Sequence, residues 1–405
     1  MIKKEAQRKP SLQAKASFDL SRKPTTGPLQ GIRILDLTRL LPGPVGTMMM
    51  ADMGAEVIKI EDPNNPDYVR AFPPYINGES ANYLAFNRSK LSVCLDYNTA
   101  EGRATFFELV KTADVVIEQF RPGFLDKIGI GYEAAKVANP QIIYVSVTGY
   151  GQTGPYAHLA GHDLNYTAYA GVLGMTGEAD GAPTVAGVQL ADVAGGSYMS
   201  VIATLSALHA RHRTGVGQHV DVAMTDGAMP LLSAVYAQYA GGAANSERGK
   251  APLSGGMANY GVYLCQDQKY IALGTLEPKF WAKFCTVVDR PEWLGYILPK
   301  NQEELKKFKV QIGALFISEP STYWVNIGLK NDLLISPVYN LADLENDPHL
   351  QARQMILTEN HPKAGSFKTI GVPIKFSATP ANPSWPAPAM GEDTEAILGK
   401  LNKSL

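Results

Sequence analysis

Alternation of short apolar strands with helical segments is the feature that most constrains how this chain can fold. Runs rich in β-branched residues recur along the first part of the chain: GIRILDL (31–37), AEVIKIE (55–61), LSVCLDY (91–97), DVVIEQF (114–120) and QIIYVSVTGYG (141–151). Strands separated by helices pair in parallel through right-handed crossovers. The pattern therefore predicts an α/β fold whose large domain is a Rossmann-like, doubly wound sheet.

The chain has 405 residues, which is too long for one compact core, so two domains are expected. A Gly-, Ala- and Ser-rich stretch at 240–256 resembles a linker, and the segment at 260–276 beyond it alternates like a hairpin. The predicted division is a disordered extension over 1–26, a large domain over 27–225 to which 345–405 return, a linker over 226–256 and a smaller α+β domain over 257–344.

Composition excludes several classes of protein. The formal net charge is -1, so there is no global basic field for nucleic acid. No apolar run approaches the roughly 20 residues that span a bilayer, and no membrane partner is expected. Cys94, Cys265 and Cys285 are far apart, which argues against a disulfide framework and against a CxxC metal site. We predict a cytoplasmic protein, with organellar import through residues 1–26 as the open alternative.

Two glycine-containing loops, FRPGF and TGYGQTGP, follow the last two of these strands. Ligands of open α/β sheets bind beyond the carboxyl ends of the strands, so both loops are candidate ligand loops. The glycines do not form the GxGxxG pattern of dinucleotide-binding proteins. Nothing in the sequence implies a metal, flavin, nicotinamide or pyridoxal cofactor.

His162 and Asp192 stand in two turns rich in small residues, on either side of an apolar segment. Histidine, with an ordinary pKa near ~6.5, accepts or donates a proton at neutral pH. A carboxyl on the opposite face of a substrate carbon needs a raised pKa to act as an acid in its turn. The pair therefore predicts proton transfer at a carbon beside a carbonyl group, with the backbone N–H groups of Gly195 and Gly196 as donors to the enolate oxygen.

Both side chains also have a structural interpretation. Asp192 precedes a segment of helical periodicity at 197–213, where it fits the N-cap position. His162 follows a glycine in a turn, a place where histidine is commonly a surface residue. The capping role of Asp192 is compatible with catalysis, because a helix N-terminus stabilises an ionised carboxylate.

Several motifs together resemble those of the family III CoA transferase superfamily (CaiB/BaiF type). The resemblance runs from about residue 27 to the C-terminal helix and rests on GIRILDLTRLLPGP, MGAEVIKIE, FNRSKLSVCLD, IEQFRPGFLDKIGIGYE, YVSVTGYGQTGPY, GHDLNYTAYAGVL, GVQLADVAGG, RTGVGQHVDVAM and ALGTLEPKFW. Within the superfamily the chain most resembles the α-methylacyl-CoA racemases, because these have a catalytic histidine in the GHDLNY motif and a catalytic aspartate about thirty residues later.

The resemblance implies a set of site residues and partners. It assigns catalytic roles to His162, Asp192 and Glu277, coenzyme A contacts to Asn87, Arg88, Arg121 and Lys127, and a pocket position to Tyr166. It implies an acyl-CoA substrate, coenzyme A only as part of that substrate, and a homodimer of interlocked chains. One departure is Glu61-Asp62, where some relatives have an arginine that stacks on adenine.

Three functions are compatible with these residues. The first is a racemase that inverts the α-carbon of a 2-methylacyl-CoA thioester by two-base proton transfer. The alternative is a CoA transferase that moves coenzyme A between carboxylic acids through an aspartyl-CoA thioester on Asp192. The third is a non-catalytic CoA-binding or scaffold protein, which the joint presence of His162, Asp192 and Glu277 disfavours.

Overall fold

The computed structural model describes residues 22, 24, 26–244, 246–296 and 301–401. Nearly all of the predicted extension over 1–26 lies outside these residues. The strands are β1 (Arg33–Asp36), β2 (Glu56–Glu61), β3 (Tyr75–Ile76), β4 (Glu79–Ser80), β5 (Lys90–Cys94), β6 (Val115–Glu118), β7 (Ile143–Thr148), β8 (Gln218–Ala223), β9 (Tyr260–Leu264), β10 (Tyr270–Gly274), β11 (Ile335–Pro337), β12 (Ile356–His361) and β13 (Gly365–Ile370).

The α-helices are mostly short, and those between β1 and β8 connect parallel strands. They are α1 (Pro42–Asp52), α2 (Ala81–Asn87), α3 (Ala100–Thr112), α4 (Phe124–Lys127), α5 (Tyr132–Ala138), α6 (Asp163–Tyr169), α7 (Val172–Met175), α8 (Met199–Thr214), α9 (Met224–Ala228), α10 (Ser233–Ala240), α11 (Pro278–Val287), α12 (Gln302–Phe316), α13 (Ser321–Asn331), α14 (Pro348–Ala352) and α15 (Thr394–Leu401). A π-helical segment, Ala191–Tyr198, leads directly into α8.

The central sheet has six parallel strands in the order β5-β2-β1-β6-β7-β8. The chain moves outward from β1 to one edge and then returns to build the other side, so the strand order reverses between β1 and β6. Carboxyl ends of strands at such a switch point form a crevice in doubly wound proteins. The predicted α/β fold with a doubly wound sheet is confirmed.

The described chain divides into two compact units that are not continuous in sequence. The first consists of the chain up to Ala170, Val188–Met229 and the chain from Gln351 onward; the second consists of Gly171–Gly187 and Pro230–Leu350. The second unit contains the three-stranded sheet β11-β10-β9, and β9 pairs with β10 as an antiparallel hairpin. Its core is aromatic, with Trp281 and Phe284 almost fully buried.

Much of the segment 226–256 is helical, although the sequence predicts a linker there. Helix α10 occupies Ser233–Ala240, and short 3-10 turns occupy Met229–Leu232 and Pro252–Ser254. The run of Ala, Leu and Tyr before the glycines has adequate helix propensity, which the Gly-rich composition of the following residues obscures.

Candidate active site

A cavity of about 760 Å³ lies at the carboxyl ends of the central strands, within the first unit. The loop after β1, the loop after β6, the end of β7 and the loop before α6 form its walls. Residues that line it include Leu40, Leu41, Pro42, Gln119, Arg121, Gly149, His162, Tyr166 and Asp192. This is the position at which the switch point of a doubly wound sheet places a ligand.

His162 and Asp192 line this same cavity, although 30 residues separate them in sequence. His162 occupies the N-cap position of α6, and its backbone N–H donates to Asn165 Oδ1 at 3.1 Å. The residue is exposed, so its imidazole is available to a bound ligand. The structure therefore brings together the two residues that the sequence predicts as an acid–base pair.

The sequence analysis places Asp192 at a helix N-cap in its structural interpretation. In the structure Asp192 lies instead in the first turn of the π-helical segment. The capping carboxylate comes from Asp163 instead. Its Oδ1 atom accepts the backbone N–H groups of Ala191 at 2.7 Å and of Asp192 at 3.0 Å. These bonds satisfy donors that an isolated helix end leaves unpaired, and they fix the turn that carries Asp192. π-Helical turns are rare and are frequent at functional sites.

Burial and, to a smaller extent, the negative charge of Asp163 together raise the pKa of Asp192 to about 7. Both causes act against the charged form of the carboxyl. At neutral pH the side chain therefore exists in both protonation states, which suits either a carboxylate nucleophile or an acid–base catalyst.

Gly195 and Gly196 have a packing role in the structure and do not form the turn that the sequence predicts. Both are buried inside the π-helical segment, and neither belongs to the cavity lining. A Cβ atom at Gly195 would lie 2.3 Å from the carbonyl oxygen of Met224, and one at Gly196 would lie 2.9 Å from Pro42 Cβ. The glycines are needed because α9 and α1 approach the π-helical backbone too closely for any side chain.

Tyr166 lines the cavity as predicted. Its hydroxyl donates to the carbonyl oxygen of Gly161 at 2.5 Å, and burial raises its pKa to about 12. The phenol therefore remains neutral and holds the loop before α6 in place. Its ring packs against Gly149 and Gly161, where a Cβ atom would lie 2.3 Å and 2.6 Å from ring carbons.

Asn87 and Arg88, predicted to contact coenzyme A, are instead structural. Arg88 is 2% exposed, and its Nη2 atom pairs with Asp52 Oδ2 at 2.8 Å while Nη1 donates to the carbonyl oxygen of Ile370 at 2.7 Å. Asn87 is fully buried and accepts a hydrogen bond from Lys90 Nζ at 2.9 Å. A buried guanidinium has to be paired internally, so it is not available to a phosphate at the cavity.

Arg121 and Lys127 remain candidates for anion binding. Arg121 lines the cavity, and Lys127 is the last residue of the short helix α4 that follows. Both are exposed, and neither forms an ion pair with a residue in the described ranges. An unpaired cation beside a large polar cavity favours a negatively charged ligand.

Glu277 and the pair Glu61-Asp62 complete the predicted positions. Glu277 lies in the second unit, at the N-cap of α11, and its catalytic role stays a prediction. Glu61 pairs with Arg70 Nη2 at 2.6 Å, and Asp62 accepts from Asn98 Nδ2 at 2.7 Å. Both carboxylates are thus occupied by internal contacts.

The sequence analysis misses two residues of the site, one that lines the cavity and one that holds a turn beside it. Gln119 lines the cavity and accepts the backbone N–H of Gly43 at 2.9 Å, which connects the loops after β1 and β6. Asp163 stands beside His162 in the GHDLNY motif, so its identity was visible. Its bond to a turn 28 residues away was not, because that contact depends on tertiary structure.

No group of histidine, cysteine, aspartate and glutamate that could hold a metal ion occurs among the described residues. Within the same ranges no helix is both long and apolar enough to cross a membrane.

Comparison with known proteins gives consistent matches over most of the chain. The family model described as CoA-transferase family III matches residues 29–394. The chain is 35% identical to the acetyl-CoA:oxalate CoA-transferase of Acetobacter aceti, over 87% of this chain and 90% of the relative. It is 33% identical to the succinyl-CoA:glutarate CoA-transferase of Mus musculus, over 92% of this chain and 86% of the relative.

Among solved structures, a CaiB/BaiF family protein from Brucella suis superimposes with a TM-score of 0.80. It is 32% identical in sequence, and the match covers 93% of this chain and all of the other.

Proposed function

The chain belongs to CoA-transferase family III, and we propose that it moves coenzyme A from an acyl-CoA donor to a free carboxylic acid, with the Asp192 carboxylate as the nucleophile. The observation that carries this proposal is the position of Asp192 on the wall of the large cavity, where burial raises its pKa to about 7. Relatives named as CoA-transferases favour this reaction over the racemisation that the GHDLNY motif suggests.

The reaction proceeds through two acyl exchanges on Asp192. The carboxylate attacks the thioester carbon of the donor, the C–S bond breaks, and a mixed anhydride and the coenzyme A thiolate form. The thiolate then attacks the aspartyl carbonyl carbon of the anhydride. The donor leaves as a free carboxylate, and an aspartyl-CoA thioester remains.

The acceptor acid reverses this sequence. Its carboxylate attacks the aspartyl thioester and releases the thiolate, which leaves an anhydride between Asp192 and the acceptor. The thiolate attacks the acceptor's acyl carbon, so that the new acyl-CoA forms and the Asp192 carboxylate is regenerated. One carboxylate enters and one leaves, and no net proton or electron is consumed.

Two features of the site support a nucleophilic role for Asp192. A carboxylate that is partly desolvated and of raised pKa is less stabilised by water and is the stronger nucleophile toward a carbonyl carbon. The hydrogen bonds from Ala191 and Asp192 to Asp163 hold the backbone of the turn, so attack needs little reorganisation.

The acceptor is proposed to be a small dicarboxylic acid, because oxalate and glutarate appear in the names of the relatives. Arg121 supplies an unpaired cation at the cavity for a phosphate of coenzyme A or for the second carboxylate of the acceptor. Lys127 lies one short helix further along and is proposed to contact the nucleotide.

Racemisation is retained as the second candidate because His162 lines the same cavity as Asp192. Two-base proton transfer requires two such groups to reach the same carbon of the substrate, and a shared cavity is compatible with that requirement. In the transferase reaction His162 is proposed to contact a substrate oxygen instead.

The test is transfer from acetyl-CoA or succinyl-CoA to oxalate and glutarate, followed by separation of the acyl-CoA products. We expect new acyl-CoA with the wild-type protein and none with Asp192→Asn. Hydroxylamine added with the donor should convert Asp192 to a hydroxamate that mass spectrometry locates in its peptide. Exchange of the α-hydrogen of a 2-methylacyl-CoA with deuterated water in the absence of an acceptor, together with no transfer, would favour the racemase instead.

A further inference from the structure

The loop between β1 and α1, residues 37–41, forms one wall of the active-site cavity through Leu40 and Leu41. Leu40 has a φ angle of 60°, a left-handed conformation that is unfavourable for a residue with a branched side chain. Other interactions have to stabilise this backbone conformation, because Leu40 on its own would favour a negative φ angle.

Asp67 and Lys59 supply these interactions from outside the loop. Asp67 Oδ1 accepts the backbone N–H of Leu40 at 3.1 Å, and Oδ2 pairs with Lys59 Nζ at 2.9 Å. Lys59 Nζ also donates to the carbonyl oxygen of Thr38 at 2.8 Å. The side chains of Lys59 and Asp67 are both 0% exposed, so water does not compete for these bonds.

A second buried pair holds the two ends of the same loop. Asp36 Oδ1 accepts the backbone N–H of Thr38 at 2.9 Å, and Oδ2 pairs with Lys90 Nζ at 3.0 Å. Lys90 Nζ donates in turn to the carbonyl oxygen of Pro44 at 3.0 Å, in the first turn of α1. Both side chains are again fully buried.

The loop is also connected to the backbone that carries Asp192. The carbonyl oxygen of Pro42 accepts a hydrogen bond from Ser197 Oγ at 2.6 Å, and Ser197 lies in the π-helical segment with Asp192. Displacement of the loop would therefore disturb the nucleophile's turn as well as the cavity wall.

Burying a charged pair in the interior of a parallel sheet has a large cost in desolvation free energy. Lys59 lies on β2 between the buried residues Ile58 and Ile60, although parallel strands are normally continuous hydrophobic runs. Buried pairs contribute little net stability compared with apolar residues of the same volume. What an apolar pair lacks is the ability to bind the Leu40 N–H and the Thr38 carbonyl.

From these contacts, and resting on the proposed function, we propose that Lys59 and Asp67 are positioning residues that hold the β1–α1 loop in its left-handed turn so that the cavity fits acyl-CoA. They do not touch the substrate. Their effect passes through Leu40 and Thr38 to the wall of the cavity and, through Pro42 and Ser197, to the turn of Asp192.

The test compares Asp67→Ala and Asp67→Asn with the control Glu56→Gln. Glu56 lies on the same strand as Lys59 and forms an ion pair with Arg33 of β1, at the amino-terminal end of the strands. The control thus removes a carboxylate from another ion pair of β2, at the end of the strand opposite to the cavity. The readouts are the Kd for acetyl-CoA by calorimetry, KM and kcat for transfer, and hydrogen exchange of the Leu40 amide.

We expect Asp67→Ala to raise Kd and KM for acetyl-CoA about tenfold with a smaller change in kcat, as expected when a substrate wall is misplaced. Asp67→Asn should raise them less, because its amide oxygen still accepts the Leu40 N–H. The Leu40 amide should exchange faster in the order Asp67→Ala, Asp67→Asn, wild type. Glu56→Gln should leave the Kd, the KM and this amide unchanged.

Equal Kd values for Asp67→Ala and Glu56→Gln, or unchanged exchange at Leu40, would overturn the proposal. If Asp67→Ala does not fold, the same comparison between Asp67→Asn and Glu56→Gln decides. The Kd does not depend on turnover. If the wild-type protein binds acetyl-CoA but does not transfer coenzyme A, the proposed function is refuted. The Kd values of the variants still test the positioning role in that case.

Discussion

The carboxyl of Asp163 affects both the position and the pKa of the Asp192 carboxyl. Asp163 accepts two backbone N–H groups of the turn that carries Asp192, which fixes the position of the proposed nucleophile. Its negative charge adds to the effect of burial on the pKa of Asp192. A single side chain thus influences both the geometry and the protonation of the reacting group.

The pH dependence of transfer should follow Asp192. Burial, and secondarily Asp163, raise the pKa of Asp192 to about 7, and the nucleophile is the deprotonated form. We therefore expect kcat/KM to rise with pH and to level off above about 7, which initial rates from pH 5 to 9 will measure.

Asp163→Asn provides the control for this assignment, because an amide oxygen can still accept the two N–H groups but carries no charge. Loss of a neighbouring negative charge favours ionisation of Asp192. The rising limb should therefore move to lower pH in this variant. A limb that stays in place would contradict the pair interaction.

Arg88 and Arg121 should respond differently to replacement by methionine. Arg88→Met leaves the carboxylate of Asp52 buried without its partner, so the free energy of unfolding should fall by about 3–5 kcal/mol. Arg121→Met removes an exposed, unpaired cation and should change stability by less than about 0.5 kcal/mol. It should weaken coenzyme A binding about tenfold, as loss of a charge-assisted hydrogen bond does.

Denaturant unfolding and calorimetric titration with coenzyme A measure both effects. If folded Arg88→Met bound coenzyme A less well than Arg121→Met, Arg88 would contact the ligand after all. The sequence could not separate these arginines, because a basic residue next to a strand looks the same whether it faces a ligand or a buried carboxylate.

At the scale of elements, the strands were predictable because their apolar runs are unbroken and bounded by turn residues. The run AEVIKIE predicts β2 (Glu56–Glu61) almost to the residue. The π-helical segment was not predictable. Its sequence is helical in composition, and the close approach of α9 and α1 to Gly195 and Gly196 depends on contacts between segments distant in sequence.

Gly195→Ala tests this packing. The added Cβ would lie 2.3 Å from the carbonyl oxygen of Met224, so α9 and the π-helical segment must separate. We expect a loss of about 1–3 kcal/mol in the free energy of unfolding and a loss of transfer activity, since Asp192 lies in the same segment.

Gly399→Ala is the matched control. Gly399 is in α15 of the same unit, and a Cβ atom there meets nothing within 4 Å. The substitution should stabilise the protein by up to about 1 kcal/mol with activity unchanged. Similar losses of stability in both variants would argue against the close approach at Gly195.

Glu118, at the carboxyl end of β6, should make stability depend on pH. Burial raises its pKa to about 7, so the folded state binds a proton that the unfolded state releases at lower pH. Its contribution to stability is present below the unfolded pKa near ~4.5 and is lost as pH rises through about 7.

Glu118→Gln should therefore be more stable relative to wild type at pH 8 than at pH 5, by at most about 3 kcal/mol. The amide oxygen retains an acceptor for the Phe120 N–H that Glu118 now binds at 2.7 Å. Urea unfolding at the two pH values measures the difference, and a stability difference that does not vary with pH would contradict it.

For the whole molecule, the class of fold was predictable, and the sequence drew attention to His162 and Asp192, which line one cavity. The path of the chain between the units was not predictable. Gly171–Gly187 belongs to the second unit although it lies between two segments of the first. Such an excursion has no local signal, because it depends on contacts with residues distant in sequence. His162 and Asp192 were identifiable because they stand in recognisable sequence motifs. The contacts of Asp163 were not, because they join segments distant in sequence.

Exposed apolar side chains support the prediction of a dimer. On α10, Tyr236 and Tyr239 are 62% and 67% exposed. Apolar residues on neighbouring turns are commonly covered by a partner chain. We expect light scattering to give the mass of a dimer that persists on dilution, and a monomer at neutral pH would contradict this.

The wide turn at Ala191–Tyr198 makes the site sensitive to insertions and deletions. A π-helix completes each loop with one residue more than an α-helix does. Removal of Val193 alone would replace the wide turn by the tighter turn of an α-helix and would change the direction in which the Asp192 side chain, which lies inside that turn, leaves the helix axis. Every side chain named in the reaction would still be present, yet the carboxyl of Asp192, the proposed nucleophile, would point in another direction. The proposed activity therefore requires the number of residues in this turn as well as their identities.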